Sequence, residues 1–231
     1  MKKSNHVSQL LTNAIIILMI VALYLITNSP QKIVATNTWI KYRGDSSNNE
    51  VALQFAVYWN ANALKDTLNV LHESGVKATF FVSGEWAAKN PIALNEIYNQ
   101  GHEIGTLGMY ADSTNENVPL NDLIWGLEQS INNIKAACGA KVRLYYSGSV
   151  PALKASKAAK ALDLECIQCT IDLLCSRGSA NDILERSKTA NAGSIVHLTP
   201  TKEALLALPD IIKQYESASL KIISTGDLIN K

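Results

Sequence analysis

From Val51 onward, the sequence alternates between short apolar runs typical of strands and longer segments with helical periodicity. Val51–Tyr58 and Ala78–Val82 are predicted strands, and Ala61–Ser74 between them is a predicted helix with three leucines on one face. Further strands are predicted at His102–Leu107, Val142–Tyr146, Cys166–Ile171, Ser194–Leu198 and Lys221–Ser224. Further helices are predicted at Pro91–Asn99, Leu120–Ala137, 151–162, 180–190 and Leu205–Tyr215.

This alternation predicts an α/β domain with a parallel sheet of about seven strands and helices on its outer face. An open doubly wound sheet and a small distorted barrel both fit the pattern. In either architecture, ligands bind at the carboxyl ends of the strands. We therefore expect functional residues at that end of the sheet.

The N-terminal part has a different composition. No charged residue lies between His6 and Lys32, and Lys2 and Lys3 precede the apolar run. This length and charge pattern predicts one transmembrane helix with a cytoplasmic N-terminus and an extracytoplasmic domain. A cleavable signal peptide is the alternative, although no clean small-x-small cleavage site follows. The predicted organisation is a cytoplasmic N-terminus (1–8), an anchor (9–28), a linker (29–50) and a folded domain (51–231).

The charges are unevenly distributed. The formal net charge is +1, but residues 1–44 contain five basic residues and no acidic one. The rest of the chain is therefore mildly acidic. This distribution argues against a nucleic-acid-binding face and favours a basic anchor followed by an exported domain.

Several motifs occur in order along the domain. They are Val51-Ala-Leu-Gln-Phe55, Gly75-Val-Lys-Ala-Thr-Phe-Phe-Val-Ser-Gly84, Gly101-His-Glu-Ile-Gly105, Gly193-Ser-Ile-Val196 and Thr225-Gly-Asp-Leu-Ile229. Together they resemble the polysaccharide deacetylase family, also called the NodB homology domain or carbohydrate esterase family 4. The first motif, extended to Trp59, most resembles the sporulation-associated branch. The resemblance implies a distorted (β/α) barrel.

The resemblance also implies a reaction. Members of the family use a divalent metal such as zinc, held by an Asp and two His, with a carboxylate base and a histidine acid. In this chain the catalytic positions align with Ala56, Leu144, Cys175 and Thr199, and the metal positions align with Val57, Leu107 and Ala111. Arg143 is one residue away from the arginine position and would point to the opposite face.

Most of these replacements can neither ligate a hard cation nor transfer a proton. We therefore expect no metal cofactor and interpret the chain as a pseudoenzyme. The alternative is a residual or altered metal-dependent carbohydrate N-deacetylase, a hydrolase of C–N amide bonds that uses His197 or Asp172 on cell-wall glycan. A third hypothesis is a purely structural scaffold.

Three histidines and the Cys166–Cys169 pair have no place in the family's catalytic positions. His197 is either a displaced acid or ligand, or a hydrogen-bonded core residue, which its apolar neighbours favour. His102 is predicted to be structural and His72 exposed. The Cys166-x-x-Cys169 spacing falls on a predicted strand, where the two side chains face opposite sides, so buried free thiols are favoured over a shared metal or a disulfide.

Polar and aromatic residues are predicted to converge at the strand ends. Such side chains stack on and hydrogen-bond a sugar ring, although ordinary loop and core aromatics give the same pattern. We expect binding of cell-wall glycan or an envelope protein, at the cell membrane, in envelope or spore formation. The possible pocket comprises Tyr58, Trp59, Tyr110, Asp112, Tyr145, Tyr146, Asp172, His197 and Thr199.

Overall fold

The computed structural model describes residues 13, 16–19, 39–57, 63–110 and 118–230. The chain divides into two units, residues 1–37 and 38–231. In the first unit, the described residues are helical and exposed. The predicted anchor, residues 9–28, otherwise lies outside the described residues. Among the residues that are described, no helix has the length and apolarity needed to cross a bilayer.

The second unit contains one parallel sheet. Its strands, within the described residues, are β1 (Ile40–Lys41), β2 (Glu50–Val57), β3 (Thr79–Val82), β4 (Glu103–Thr106), β5 (Leu144–Tyr146), β6 (Glu165–Ile167), β7 (Ile171–Asp172), β8 (Ile195–Leu198) and β9 (Lys221–Ile223). Their spatial order is β1-β6-β5-β4-β3-β2-β8-β7, and β9 pairs with the first half of β2. The predicted parallel α/β architecture is confirmed.

Helices connect most of the strands. They are α1 (Leu64–Glu73), α2 (Gly84–Lys89), α3 (Pro91–Asn99), α4 (Leu120–Cys138), α5 (Ala152–Ala161), α6 (Ala180–Ser187), α7 (Lys202–Ser217) and α8 (Thr225–Ile229). Side-chain caps define several starts. Thr201, for example, accepts a hydrogen bond from the Ala204 amide, so α7 begins three residues before the predicted Leu205.

The sheet is curled into an incomplete barrel. Of the two architectures that fit the sequence pattern, the chain therefore adopts the distorted barrel and not the open sheet. An irregular segment joins its two sides. The Gly44 amide donates to the Gly193 carbonyl at 2.8 Å, and the Thr170 hydroxyl donates to the Tyr42 carbonyl at 2.7 Å. Residues 40–44, assigned to the linker from the sequence, therefore belong to the folded unit. Strand β1 pairs with β6 there.

The strand predicted at Cys166–Ile171 is in fact two strands, β6 and β7, and they have different neighbours. Strand β6 pairs with β1 and β5, whereas β7 pairs with β8. Between them, the Gln168 amide bonds to the Lys41 carbonyl and the Thr170 amide to the Ile195 carbonyl. These long-range partners redirect the chain and break the strand.

Two apolar layers lie on opposite sides of the sheet. The helix-facing core packs the outer side of the strands against α1, α3, α4, α5, α6 and α7. The inner cluster fills the concave side. It consists of Ala52, Phe81, Leu144, Tyr146, Ile167, Ile195, Ile223, Leu228 and Ile229, with Leu107 and Cys169 packed against it.

The amino ends of the strands are covered by α8. The Thr225 amide donates to the Thr79 hydroxyl at 2.7 Å, and the Gly226 amide donates to Glu103 Oε2 at 2.8 Å. Thr79 also donates to the same Glu103 oxygen at 2.7 Å. The opposite, carboxyl ends of the strands are thereby left as the place for a site.

Candidate functional site

A buried polar group lies on the concave face, near the carboxyl ends of the central strands. His197 of β8 is in register with Gln54 of β2 on one side and with Asp172 of β7 on the other. The Gln54 Nε2 donates to His197 Nδ1 at 3.2 Å. Because Nδ1 accepts this bond, the proton of the neutral imidazole is on Nε2.

The environment of His197 favours the neutral ring. Burial lowers the pKa of His197, and the Asp172 carboxylate acts in the opposite direction, to raise the pKa. The Tyr146 ring stacks on the imidazole with 4.6 Å between centroids. His197 is therefore a hydrogen-bonded core histidine, as its apolar neighbours predicted.

Gln54 was not identified from the sequence as a site residue. Its side chain is fully buried, and its Oε1 has no hydrogen-bond partner among the described residues. One feature of the sequence could have identified Gln54: it is the single amide side chain in the predicted strand Val51–Tyr58. It lies two residues before Ala56, so both side chains are on the same face of the strand. The sequence pattern does not reveal the register between β2 and β8, which places Gln54 beside His197.

The residues aligned with the family's catalytic and metal positions are separated by the sheet. Ala56 is buried in register with Phe81 of the inner cluster, and Leu144 belongs to that cluster. Leu107 is half-buried and packs against it. By contrast, Val57 and Cys175 belong to the helix-facing core. Thr199 is half-buried, and Ala111 lies outside the described residues.

The predicted pocket is only partly assembled. Tyr146 and His197 meet on the concave face, and Asp172 is exposed beside them. Tyr145 does not line the pocket, because strand alternation turns it into the helix-facing core, where it is buried. Tyr110 is exposed at a different place, described below. Tyr58, Trp59 and Asp112 lie outside the described residues.

These side chains do not fit a divalent metal. The aligned positions Val57, Leu107 and Ala111 carry only carbon, which offers no lone pair. Within residues 39–57, 63–110 and 118–230, no three His, Cys, Asp or Glu side chains are grouped so that they could hold an ion. We therefore derive no chemical step through a metal.

The Gly101-His-Glu-Ile-Gly105 motif has a structural role. His102 is buried, and its Nδ1 accepts a hydrogen bond from the Ala78 amide at 3.2 Å. Burial lowers the pKa of His102 to about 4. Glu103 holds α8, as described above, and burial raises its pKa despite two hydrogen bonds. The prediction that His102 is structural is in line with these contacts.

The cysteines are free thiols. Cys166 is buried in the helix-facing core, whereas Cys169 packs against the inner cluster on the other side of the sheet. Burial raises the pKa of Cys166 to about 11, and raises that of Cys169 as well. The Cys166 and Cys169 side chains thus lie on opposite sides of the sheet, the orientation that the strand prediction gave them.

A separate cavity of about 430 Å³ lies between the loop that follows β4 and helix α4. Its floor is leucine-rich, and its rim carries two exposed aromatic side chains and one carboxylate. The lining includes Leu107, Tyr110, Asp122, Leu123, Trp125 and Leu127. Apart from Tyr110 and Leu107, none of these residues was a sequence-based candidate.

The chain matches known proteins in sequence and in fold. A family model described as polysaccharide deacetylase matches residues 43–167. The uncharacterized protein YlxY of Bacillus subtilis is 29% identical over 179 residues. That match covers 74% of this chain but only 56% of the relative, so the chain spans little more than half of that protein.

Solved structures share the same architecture. The wild-type BA3943 protein of Bacillus anthracis, a CE4 family pseudoenzyme, has a TM-score of 0.77 and 26% identity, covering 82% of this chain and 68% of its own. The Bc1960 peptidoglycan N-acetylglucosamine deacetylase has a TM-score of 0.78 at 21% identity, covering 88% and 98%. At that identity, the second match concerns the fold alone. Since the family model covers more than half of its residues, the chain belongs to the polysaccharide deacetylase family.

Proposed function

We propose that this chain is a polysaccharide deacetylase-like protein without deacetylase activity that binds cell-wall glycan. One observation carries the proposal: the concave face ends in the side chains of Ala56, Leu107 and Leu144, where the family's reaction needs carboxylate, imidazole and guanidinium groups. The remaining polar pair, Gln54 and His197, is buried and hydrogen-bonded internally. Neither is positioned to activate water.

The relatives support both parts of the proposal. BA3943 is a pseudoenzyme with the same architecture, and a mutant of it has restored enzymatic activity. Bc1960 is a peptidoglycan N-acetylglucosamine deacetylase. Our inference is that loss of the reaction leaves the glycan-recognising surfaces of such a scaffold in place. We extend this inference to the present chain.

We also propose that residues 9–28 anchor the protein in the cell membrane, with the domain on the extracytoplasmic side. The support is the uncharged apolar run behind Lys2 and Lys3. A role in the envelope would follow from that location, whereas a role in spore formation rests on the resemblance of residues 51–59 to the sporulation-associated branch. Protease treatment of intact cells tests the topology: the domain should be degraded, and protection of the domain would contradict the proposal.

Acetate release from N-acetylated chitooligosaccharides with added zinc tests the absence of activity. We expect no turnover from the natural sequence. The matched variant is Ala56→Asp, Leu107→His, Ala111→His, which returns one carboxylate and two imidazoles. Residue 56 is chosen over 57 because Val57 faces the helix-facing core, where a carboxylate would be desolvated. Acetate release by the natural sequence would overturn the pseudoenzyme proposal.

Retention on insoluble cell-wall material tests glycan binding. We expect the full chain to sediment with purified peptidoglycan and to be released by soluble N-acetylated chitooligosaccharides. Failure to sediment would overturn glycan binding and favour the scaffold hypothesis, in which an envelope protein is the partner.

A further inference from the structure

The amino ends of three neighbouring strands, β1, β6 and β5, form a surface that is rich in cations. The strands are parallel, so their amino ends lie at one edge of the sheet, together with the last turns of α4 and α5, which lead into β5 and β6. We define the basic rim as residues 39–41, 135–143 and 157–165 with the covering helix α8. Its formal net charge is +3, because six basic residues (Lys41, Lys135, Lys141, Arg143, Lys157 and Lys160) face three acidic ones (Asp163, Glu165 and Asp227).

Most cations of the basic rim have no acidic partner within the described residues. Lys41 is the exception, because its Nζ lies 3.3 Å from a Glu165 carboxylate oxygen. The other five cations are exposed, and none of them forms an ion pair with another described residue. Exposed like charges that are gathered on one surface create a positive potential there. The basic rim is therefore suited to an anionic partner outside the domain.

An exposed tryptophan lies on the same surface. Trp39 directly precedes β1, and the pairing of Ile40 with Cys166 of β6 fixes the backbone beside it. The Trp39 side chain is 59% exposed, and Lys160 Nζ lies 4.7 Å from its ring centroid. Tryptophan is enriched at membrane–water interfaces, where its ring sits at the level of the lipid headgroups. Trp39 and Lys160 thus place an aromatic ring and a cation side by side, as a headgroup layer accommodates them.

The opposite end of the sheet has a different charge. The helices that follow the strands begin at that end, and their first turns carry carboxylates. These acidic residues are Asp66, Glu85, Asp122, Asp182 and Glu203. A negatively charged surface therefore attracts the amino ends of the strands and repels the carboxyl ends. The charges alone give the domain a preferred orientation on such a surface.

The place where the chain enters the folded unit favours a lipid surface over a soluble partner. Trp39 is the first described residue of that unit, and ten residues, 29–38, separate it from the proposed anchor at 9–28. Even fully extended, ten residues span at most about 36 Å. A bilayer that holds residues 9–28 is therefore present at a high effective concentration near the basic rim.

We propose that the basic rim lies on anionic phospholipid headgroups at the bilayer surface. Its lysine and arginine side chains contact lipid phosphates, and the Trp39 ring enters the headgroup layer. This inference rests on the proposed membrane anchor and adds an orientation to it. The carboxyl ends of the strands, with the concave face between them, point away from the membrane, so a partner of that face approaches from the side opposite to the bilayer.

Lysine acetylation of the full chain in lipid nanodiscs tests the proposal. Discs that contain phosphatidylglycerol are compared with discs of phosphatidylcholine alone, and peptide mass spectrometry measures the rate at each lysine. Lys65 and Lys202, exposed in the first turns of α1 and α7, are the internal references. Relative to them, Lys135, Lys141 and Lys160 should react at least about threefold more slowly in the anionic discs. Salt at about 0.5 M should abolish this difference, because it screens exposed charges.

Two matched charge reversals locate the effect. Lys141→Glu changes the basic rim, and Lys65→Glu makes the same change at the opposite end of the sheet, with Lys202 kept as the reference. Both positions are exposed, so both variants should keep the melting temperature of the natural sequence. Lys141→Glu should largely remove the protection of Lys135 and Lys160, whereas Lys65→Glu should leave it unchanged. Equal effects of the two variants would contradict the proposal.

The outcomes separate this proposal from the anchor on which it rests. If the chain stays in both kinds of disc but the lysine ratios are equal, the basic rim does not contact lipid and only this proposal is overturned. If only anionic discs retain the chain and salt releases it, the anchor is overturned and the basic rim is supported. Failure to associate with either disc overturns both. Equal protection by soluble inorganic polyphosphate in neutral discs would assign the basic rim to a soluble polyanion and overturn the lipid proposal.

Discussion

The phenol ring of Tyr146 lies nearly parallel to the imidazole of His197, with 4.6 Å between the centroids and 20° between the planes. The same phenol also contacts Phe81, at 5.6 Å between centroids. Tyr146 therefore packs between the His197 imidazole and the Phe81 ring on the concave face. Removing this ring would therefore leave a cavity between His197 and Phe81.

Replacing Tyr146 by alanine should destabilise the domain by about 3–5 kcal/mol, the range for removing a buried aromatic ring. Tyr146→Phe should cost only about 1 kcal/mol, the net value of the hydrogen bond between the Tyr146 hydroxyl and the Cys169 side chain. Urea unfolding measures both. The control is Tyr98→Ala on α3, an exposed tyrosine whose removal should cost ~0.5 kcal/mol or less. Similar losses at positions 98 and 146 would contradict the packing described here.

Acid should destabilise the domain through its buried histidines. The folded-state pKa of His102 is lowered to about 4, below the ~6.5 of an unfolded histidine. The unfolded state therefore binds more protons in this range. The stabilisation from keeping the ring neutral is complete above pH ~6.5 and is lost as the pH falls toward 4, at up to about 1.4 kcal/mol per pH unit.

His102→Gln tests this pH dependence. The variant should be less stable at neutral pH, because the Ala78 amide loses its imidazole acceptor, but it should lose less stability between pH 6.5 and 4. Gly126→Ala on α4, which changes no ionisable group, is the control and should give a pH profile parallel to that of the natural sequence. Thermal unfolding across this pH range gives the profiles. Parallel profiles for His102→Gln and the natural sequence would contradict the assignment.

Gly226→Ala should destabilise the closure by α8. A Cβ atom at this position would overlap Glu103 Oε1, and Glu103 is held by hydrogen bonds from Thr79 and Gly226 itself. We expect a loss of about 1–3 kcal/mol, as for other overpacked sites. Gly126→Ala on α4 is the control, since its Cβ would meet only Met109 Cβ at 3.6 Å, and alanine favours the helix.

A double-mutant cycle makes this prediction specific. With Glu103→Ala in the background, Gly226→Ala should cost much less, because the overlapping carboxylate is gone. The unfolding free energies of the natural sequence, the two single variants and the double variant give the coupling energy between residues 103 and 226. Additive losses would mean that the two residues do not interact.

The purified full chain should contain far less than one divalent metal ion per molecule after equilibration with zinc. Elemental analysis measures this, and the Ala56→Asp, Leu107→His, Ala111→His variant is the positive control. A stoichiometric ion that disappears in His197→Ala or Asp112→Ala would establish an altered metal site. It would favour the residual hydrolase.

Much of the architecture was predictable because it depends on local periodicity. The apolar spacing in α4 predicts that Leu123, Leu127, Ile131 and Ile134 face inward; Leu123, Leu127 and Ile134 are buried, and Ile131 is half-buried. Ser130 is buried as well, although a helix pattern alone would not select it. Its hydroxyl lies 2.7 Å from that of Thr106 on β4, a partner that only the folded chain provides.

The candidate site was less predictable, because it depends on strand register and on which face a side chain occupies. Tyr145 and Tyr146 are adjacent and chemically identical, yet one lies among the helices and the other on His197. The cavity beside α4 was also not foreseen. Trp125 lies within α4 and follows no strand, so the expectation of functional residues at strand ends does not include it.

Helix α8 covers the amino ends of the strands, and it is synthesised after all of them. Glu103 is synthesised more than a hundred residues before Gly226, the residue whose amide binds its carboxylate. Until residues 225–229 emerge, the amino ends of the strands have no cover, and Leu228 and Ile229 are missing from the inner cluster. A nascent chain is therefore held short of its native state while translation proceeds.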